Sequence, residues 1–284
     1  MSDIILHERT RQALQRLLQT PSHALLIVGA RGIGKQTFAR YIASQIVDSD
    51  LSSYPYFRHI APDKPDSISI DQVRALQNFL TLKVPSSRLT DRIVLVEDAH
   101  LLSTEAQNAL LKTLEEPPIG TMLILTAAHE HALLPTIRSR AQTLAIIKPN
   151  QAKLIEHFEK QGHSAERINR ALQLSGGLPG LTAALLDTDT EHPLYQATAE
   201  ARTFLQKTRF ERLAEVDRLS KQKPLVLDTL YILQQMAHTA LSQTATQAAE
   251  KRWANILQRS YEAEAAILAN GQPKLVLTHF ILMV

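Results

Sequence analysis

Short apolar runs alternate with segments of helical periodicity through the first half of the chain. The apolar runs predict strands at residues 24–28, 57–61, 92–96, 122–126 and 143–147. Apolar positions three and four residues apart predict helices at residues 7–19, 38–46, 69–80 and 104–116. Strands that alternate with helices favour the α/β class, in which helices cover both faces of a parallel sheet.

Two of the predicted helices start with the spacing of a capping box, in which two side chains three residues apart satisfy free backbone N–H groups. Ser69 and Gln72 have this spacing, and so do Thr104 and Gln107. We therefore expect one helix to start at Ser69 and another at Thr104. The double proline at residues 117–118 ends the second of these helices.

From Pro149 onward the apolar pattern is helical throughout. Short helices are predicted at residues 151–161, 165–174 and 178–186. Longer helices are predicted from two apolar stripes, which consist of Val226, Leu230, Leu233, Ala237 and Leu241, and of Ala249, Trp253, Ile256, Ala263 and Ile267. The apolar residues 275–284 are expected to pack within their domain or against a partner.

The composition is ordinary for a soluble globular protein of two or three domains: 284 residues, 44% hydrophobic and 21% charged. The net charge of +3 is compatible with nearby nucleic acid but does not by itself indicate it. Cysteine is absent, which excludes disulfides and cysteine-ligated zinc. Without a long apolar run or a signal-peptide core, we expect no membrane segment and a cytoplasmic location.

The segment GARGIGKQT at residues 29–37 lies between a predicted strand and a predicted helix. This order, with Gly29, Gly32, Gly34 and Lys35 at these spacings, is typical of a phosphate-binding P-loop. The glycines let backbone N–H groups converge on an anion, and the following helix N-terminus adds partial positive charge. Lys35 would then reach the outer phosphates of a nucleotide such as ATP.

The residues that would hold magnesium depart from the usual pattern. The P-loop motif places Ser or Thr after its lysine, but here that position is Gln36, and Thr37 comes one residue late. Glu97 and Asp98 follow a predicted buried strand, where a second nucleotide motif has Asp before Glu. Two alternatives stay open for these acids: they help to bind the nucleotide, or they are a solvated strand end.

Two arginines and two histidines are further candidates. Arg138 and Arg140 flank Ser139, and an arginine at a subunit edge can stabilise charge on a neighbour's phosphate, although a surface cation is the usual case. His129 and His131 lack companions at metal-ligand spacing, so we interpret them as surface histidines.

Five stretches distributed over the chain carry a family resemblance: HALLIVGARGIGK (23–35), SISIDQVRALQNFL (67–80), AQNALLKTLEEPP (106–118), LLPTIRSRAQ (133–142) and NGQPKLVL (270–277). Together they resemble the bacterial clamp-loader subunits of the AAA+ class, and among these the delta-prime family of DNA polymerase III. The resemblance implies a P-loop core with a parallel sheet at residues 1–148, a helical lid at 149–192 and an all-α collar at 193–284.

The resemblance also implies a place in a hetero-oligomeric ring. Such a ring of five subunits, which include gamma/tau and delta, opens the sliding clamp and places it on primed DNA. Delta-prime is usually the stator: it handles nucleotide poorly and lends the arginine of a Ser-Arg-Cys segment to a neighbouring ATPase. In this chain that arginine is Arg140, and Ala141 stands where the cysteine is typical.

Two departures from the active loader ATPases are visible. The four-cysteine zinc module that many of these subunits carry after the first helix is replaced by a short cysteine-free stretch at residues 48–56. The lid arginine that touches the γ-phosphate is missing from residues 177–180, which read GLPG. We therefore expect no zinc, a degenerate ATP site and an open question over magnesium.

Three hypotheses follow from these patterns. The first is a stator with little or no ATPase activity that supplies Arg140 in trans. The second is a true ATPase in which Lys35, Glu97 and Asp98 still work with magnesium. The third and weaker one is a stand-alone AAA+ protein with a substrate outside replication.

Overall fold

The computed structural model describes residues 4–62, 67–84, 90–188, 192, 194–243 and 246–284. The chain forms two compact units, Met1–Pro149 and Asn150–Val284. The finer division of the second unit into a lid at 149–192 and a collar at 193–284 stays a prediction, and Pro193 lies outside the described residues.

A parallel sheet forms the centre of the first unit. Its strands are β1 Ala24–Val28, β2 Phe57–Ile60, β3 Arg92–Val96, β4 Thr121–Ala127 and β5 Gln142–Ala145. They lie in the order β2–β3–β4–β1–β5 and pair in parallel. At the carboxyl end of β1, Val28 pairs with Ala127 on one side and Ala145 on the other. The predicted strands and their parallel arrangement are confirmed.

Helices cover this sheet because one face of each is apolar. They are α1 Glu8–Gln19, α2 Lys35–Val47, α3 Ile70–Leu80, α4 Thr104–Glu115 and α5 Pro135–Arg138, with short 3₁₀ turns at Ala99–Leu101 and Glu130–Ala132. Leu76 of α3 and Leu110 of α4 are almost fully buried in one core cluster with strand residues such as Val94 and Leu123. The sheet therefore gives the loops at its two edges a rigid base.

The predicted capping box at the start of α3 is confirmed. The hydroxyl of Ser69 accepts a hydrogen bond from the backbone N–H of Gln72, and the side chain of Gln72 accepts one from the backbone N–H of Ser69. Two backbone N–H groups of the first turn are thereby satisfied.

α4 begins at Thr104, as predicted, but Thr104 is not its N-cap. Ser103 is the N-cap, because its hydroxyl accepts a hydrogen bond from the backbone N–H of Ala106 at 3.2 Å. Thr104 is the first residue of the helix and is exposed. Two neighbouring hydroxyl residues could both cap, and the spacing to Gln107 favoured the wrong one.

Gln107 is buried and fixes a different part of the fold. Its amide nitrogen donates to the carbonyl oxygen of Leu102 at 3.2 Å, and its amide oxygen accepts from the backbone N–H of Leu134 at 3.0 Å. A buried side-chain amide whose nitrogen and oxygen are both hydrogen-bonded links two specific segments of the chain. Here it holds the start of α5 against α4.

The described elements of the second unit are all helices. They are α6 Gln151–Lys160, α7 Ala165–Ser175, α8 Pro179–Asp187, α9 Tyr195–Gln206, α10 Arg209–Ala214, α11 Val216–Leu219, α12 Lys223–Gln243, α13 Gln247–Leu268 and α14 Pro273–Met283. The predicted helical character of this half of the chain is confirmed. None of the helices in the described ranges is both long enough and apolar enough to cross a membrane.

The apolar stripes of α12 and α13 face the interior of the second unit for most of their length. Their buried members are Val226, Leu230, Leu233 and Ala237 in α12, and Ile256, Ala263 and Ile267 in α13. At the end of the chain, Phe280 and Ile281 are buried, whereas Leu275 and Leu282 are 66% and 49% exposed. The predicted packing of residues 275–284 is therefore only partly achieved inside this unit.

Candidate functional site

The predicted glycine turn lies between β1 and α2. Gly32 and Gly34 have φ angles of 78° and 94°, a left-handed conformation that glycine adopts without strain. Gly29 is needed for a different reason: a Cβ atom there would lie 3.2 Å from Ile33 and 3.3 Å from the side chain of Ile146. The sequence thus forms a tight turn that leads into the N-terminus of α2.

Lys35 is the first residue of α2 and is only 8% exposed. Its ammonium donates to the carbonyl oxygens of Gly29 at 3.1 Å and of Ala30 at 3.3 Å. Burial lowers the pKa of this ammonium, and the carboxylates of Asp98 and Glu97 offset part of that effect. The lysine cation is therefore held by its own loop, in the electrostatic field of the two acids.

Gln36 and Thr37 are exposed and lie beside an open cavity of about 500 Å³. The cavity runs along one face of α2 to the following loop, and its other lining residues are Ile4, Arg40, Tyr41, Ser44, Gln45, Asp50, Leu51 and Ser52. Most of its lining residues are of polar type, and they include one guanidinium and one carboxylate. The amide of Gln36 occupies the helix position where the motif places a hydroxyl.

Glu97 and Asp98 follow the carboxyl end of β3, at the same edge of the sheet as the glycine turn. The carboxylate of Glu97 lies 3.1 Å from Nε2 of His59, on the neighbouring strand β2. Asp98 has a φ angle of 45°, and its backbone N–H donates to the hydroxyl of Thr126 at 2.9 Å. The two acids therefore have different environments: one is paired with a histidine, and the other lies in a left-handed turn.

His100 is a further titratable group in this region. Its Nδ1 lies 3.9 Å from the carboxylate of Asp98. Burial lowers the pKa of the His100 imidazole, and the Asp98 carboxylate offsets part of that effect. The cations of Lys35 and Arg31 lower this pKa further. Lys35, Asp98 and His100 consequently form one electrostatic cluster at the carboxyl edge of the sheet.

Arg140 lies at the opposite, amino end of the parallel strands. It precedes β5, whose first residue Gln142 pairs with Leu25 and whose last residue Ala145 pairs with Val28, next to the glycine turn. At about 3.3 Å per residue, the strand alone separates the two regions by about 10 Å. Arg140 and the turn of its own chain therefore lie at opposite ends of two adjacent strands.

The guanidinium of Arg140 is held by neighbouring groups. Nη2 lies 2.7 Å from the carboxylate of Glu115, and Nη1 donates to the carbonyl oxygen of Thr136 at 3.0 Å. Arg138 has a different partner, because its Nη1 lies 2.9 Å from Nδ1 of His131. His129 and His131 are exposed, as predicted.

The family relationship is given by residues 6–150, which match the family described as DNA polymerase III, delta subunit. This segment contains the glycine turn, both acids and Arg140, and it is about half of the 284 residues. The chain belongs to this DNA polymerase III delta family.

Relatives named as subunits of DNA polymerase III are similar in sequence to this chain. The delta' subunit of Pseudomonas aeruginosa is 34% identical over 186 residues, which are 58% of this chain and 56% of the relative. The tau subunit of Bacillus subtilis is 32% identical over 157 residues, which are 49% of this chain and 28% of the relative. The chain thus matches about half, or less, of the length of these relatives.

A solved structure extends the fold comparison to nearly the whole chain. The crystal structure of a DNA polymerase III gamma subunit-related protein from Thermotoga maritima has a TM-score of 0.57 and 18% sequence identity, and the comparison covers 96% of this chain and 97% of that one. At this identity the likeness concerns the fold alone. Together with the family match, it confirms the predicted AAA+ class with a helical second half.

Several residues of the delta-family site were not predicted from the sequence. His59, His100 and Thr126 reach the two acids, and Glu115 reaches Arg140. The strand register explains the first, because His59 pairs with Leu95, two residues before Glu97. Within the described ranges, no group of three or more His, Asp or Glu side chains is placed to hold a metal ion.

Proposed function

We propose that this chain is a delta-prime-type stator of a bacterial clamp loader, which helps to place the sliding clamp on primed DNA. It works in the cytoplasm beside gamma/tau and delta subunits and supplies Arg140 to the nucleotide of a neighbouring ATPase. One observation carries the proposal: Arg140 precedes the amino end of β5, whereas the glycine turn follows the carboxyl end of the adjacent parallel strand β1. An arginine placed there can serve the phosphate of another subunit but not that of its own chain.

The chain's own nucleotide site supports weak hydrolysis at most. The backbone N–H groups of residues 29–35 would cradle phosphates of ATP, but Gln36 offers no hydroxyl to magnesium. The carboxylate of Glu97 is already paired with His59, and the motif order of the two acids is reversed. Losing one well-placed catalytic group commonly costs about 3 kcal/mol of transition-state stabilisation, so these losses together leave little rate.

The proposal is tested by ATP turnover of the chain mixed with the gamma/tau subunit of the same organism. Arg140→Ala is expected to lower kcat of the mixture about a thousandfold, as for other arginines supplied in trans. Arg138→Ala is the matched control, because Arg138 pairs with His131 and is expected to leave turnover unchanged. Full turnover with Arg140→Ala in an assembled mixture would refute the role of this arginine.

The alternative is an ATP-hydrolysing motor subunit similar to gamma/tau. It is favoured by the conformation of the turn, in which Gly32 and Gly34 have left-handed φ angles and Lys35 is the first residue of α2. Magnesium-dependent turnover by the lone chain, abolished by Lys35→Ala, would support this alternative. Turnover that appears only in the mixture would exclude it.

Contact with DNA follows from the same proposal and has its own test. Clamp-loader subunits hold DNA through its phosphates, so binding by this chain would weaken steeply as salt concentration rises. Fluorescence anisotropy with primed DNA at two salt concentrations measures this dependence. Binding by the lone chain would indicate a DNA surface of its own, whereas binding only in the assembly would make ring formation its main task.

A further inference from the structure

Glu115 and Arg140 join two stretches of the chain at one edge of the sheet. Glu115 is the last residue of α4, and Arg140 follows α5 and Ser139. The carboxylate oxygen of Glu115 lies 2.7 Å from Nη2 of Arg140, a short charge-assisted contact. Both side chains remain partly exposed, at 49% and 36%, so a neighbouring subunit could reach them.

The other terminal nitrogen of the same guanidinium is held by α5. Nη1 donates to the carbonyl oxygen of Thr136 at 3.0 Å and to the hydroxyl of Ser139 at 3.2 Å. The Ser139 hydroxyl itself donates to the same carbonyl oxygen at 3.0 Å. The guanidinium is thus fixed on one side by the helix end and on the other by the carboxylate of Glu115.

These contacts leave donors for a phosphate. A guanidinium has five N–H groups on three nitrogens, and the contacts described here are made by Nη1 and Nη2. Within the described part of the chain, the Nε–H takes part in none of these contacts. An Nε–H and an Nη2–H form one of the two-pronged faces with which arginine binds paired oxygens.

We propose that Glu115 is a positioning residue for Arg140, and this inference rests on the proposed function in trans. A free arginine side chain has many rotamers, and the carboxylate restricts them to the one described here, in which the Nε–H makes none of these contacts. The carboxylate also partly neutralises the Arg140 cation, so the guanidinium adds little to the binding of ATP in the ground state. Glu115 therefore raises kcat of the neighbouring ATPase and leaves KM for ATP almost unchanged.

The test uses the full chain assembled with the gamma/tau subunit. Glu115→Ala is expected to lower kcat about tenfold, because a small displacement of a catalytic group has effects of this size. Glu115→Gln, which keeps a hydrogen-bond acceptor without the charge, is expected to lower kcat less. Glu116→Gln is the matched control, because it changes the adjacent exposed carboxylate. It leaves the backbone hydrogen bond from the N–H of residue 116 to the carbonyl oxygen of Lys112 in place.

A double-variant comparison separates positioning from a structural effect. If Glu115 acts through Arg140, then Glu115→Ala added to Arg140→Ala lowers the residual turnover no further. An equal additional loss in that background would show that Glu115 acts by another route and would overturn the inference. Size-exclusion chromatography of each mixture shows whether assembly is intact.

Failure of the inference can be told apart from failure of the proposed function. Normal kcat with Glu115→Ala, while Arg140→Ala abolishes turnover, would refute the positioning role and leave the function in trans standing. Normal kcat with Arg140→Ala would overturn both. A change in KM without a change in kcat would also contradict positioning, because it would assign Glu115 to ground-state binding.

Discussion

The ammonium of Lys35 lies 3.1 Å from the carbonyl oxygen of Gly29, the first residue of the glycine turn. The cation that a P-loop offers to phosphate is therefore engaged by the loop itself. A nucleotide that binds here has to draw the ammonium away from Gly29 and Ala30. The same contact has a consequence for stability, because the charge is buried.

Lys35→Met is expected to stabilise the chain at pH 7 and to abolish nucleotide binding. Burial lowers the pKa of Lys35 below its ordinary value of 10.5, so folding disfavours the ammonium at neutral pH. Methionine fills similar space without a charge, and we expect a gain of about 1 kcal/mol in the free energy of unfolding. Urea denaturation and equilibrium binding of ATP measure the two effects.

The pH dependence of this gain has a definite sign. Between the lowered pKa of the folded chain and 10.5, the unfolded chain binds more protons, so the wild-type free energy of unfolding rises with pH in that window. The advantage of Lys35→Met should therefore shrink as pH approaches 10.5. An advantage that grows with alkalinity, or a loss of stability at pH 7, would contradict this account.

Gln36→Thr is expected to restore a magnesium-dependent component of ATP binding. Gln36 is exposed at the helix position after Lys35, so a threonine there fits without disturbing the core. Its hydroxyl would give magnesium the ligand that the P-loop motif supplies. We expect about tenfold tighter binding of ATP with magnesium than without it, or ~1.4 kcal/mol, by isothermal titration calorimetry.

Gln36→Val is the control for that experiment, since valine has the shape of threonine without its hydroxyl. It should leave the affinity for ATP independent of magnesium. If both variants respond to magnesium in the same way, the hydroxyl is not the missing element. The reversed acids Glu97 and Asp98 would then be the next position to exchange.

Two buried strands were predictable from the sequence because they are almost wholly apolar, with Arg92 as the exception. The runs at 24–28 and 92–96 have the bounds of β1 and β3, since strands covered on both faces carry a nearly continuous apolar pattern. The N-cap of α4 was not predictable in the same way. Ser103 and Thr104 are both good N-cap residues, and which of them caps is decided by the path of the preceding chain.

Two substitutions at the start of α4 test this correction. Ser103→Ala removes the acceptor for the backbone N–H of Ala106 and is expected to lower the free energy of unfolding by about 1 kcal/mol. Thr104→Ala changes an exposed residue inside the first turn and is expected to stay within about 0.5 kcal/mol of wild type. Thermal or urea unfolding gives both values. A larger loss of stability for Thr104→Ala than for Ser103→Ala would indicate that Thr104 is the N-cap.

The contacts of the candidate site could not be predicted, because their partners are distant in sequence. His59 reaches Glu97 only because β2 and β3 are adjacent in the sheet. Glu115 reaches Arg140 only because α4 ends where β5 begins. A single sequence identifies the residue types at such a site, but strand order and register determine which of them meet.

Gly176 ends α7 in a conformation and a space that only glycine fits. Its φ angle is 62°, and a Cβ atom there would lie 2.8 Å from Cβ of Gln235 and 3.1 Å from its carbonyl oxygen. Gly176→Ala therefore adds a clash with backbone to the strain of a left-handed residue. We expect it to lower the free energy of unfolding by about 3 kcal/mol, measured by urea denaturation.

Gly162 separates the clash from the strain. It also has a positive φ angle, 91°, but a Cβ atom there would meet no atom within 4 Å. Gly162→Ala should therefore show the conformational effect alone, about 1 kcal/mol. Since both glycines lie in the second unit, the difference between the two variants reports how firmly the end of α7 is packed against α12. Equal losses for the two would mean that α12 yields around Gln235, and the tight contact would then contribute nothing to stability.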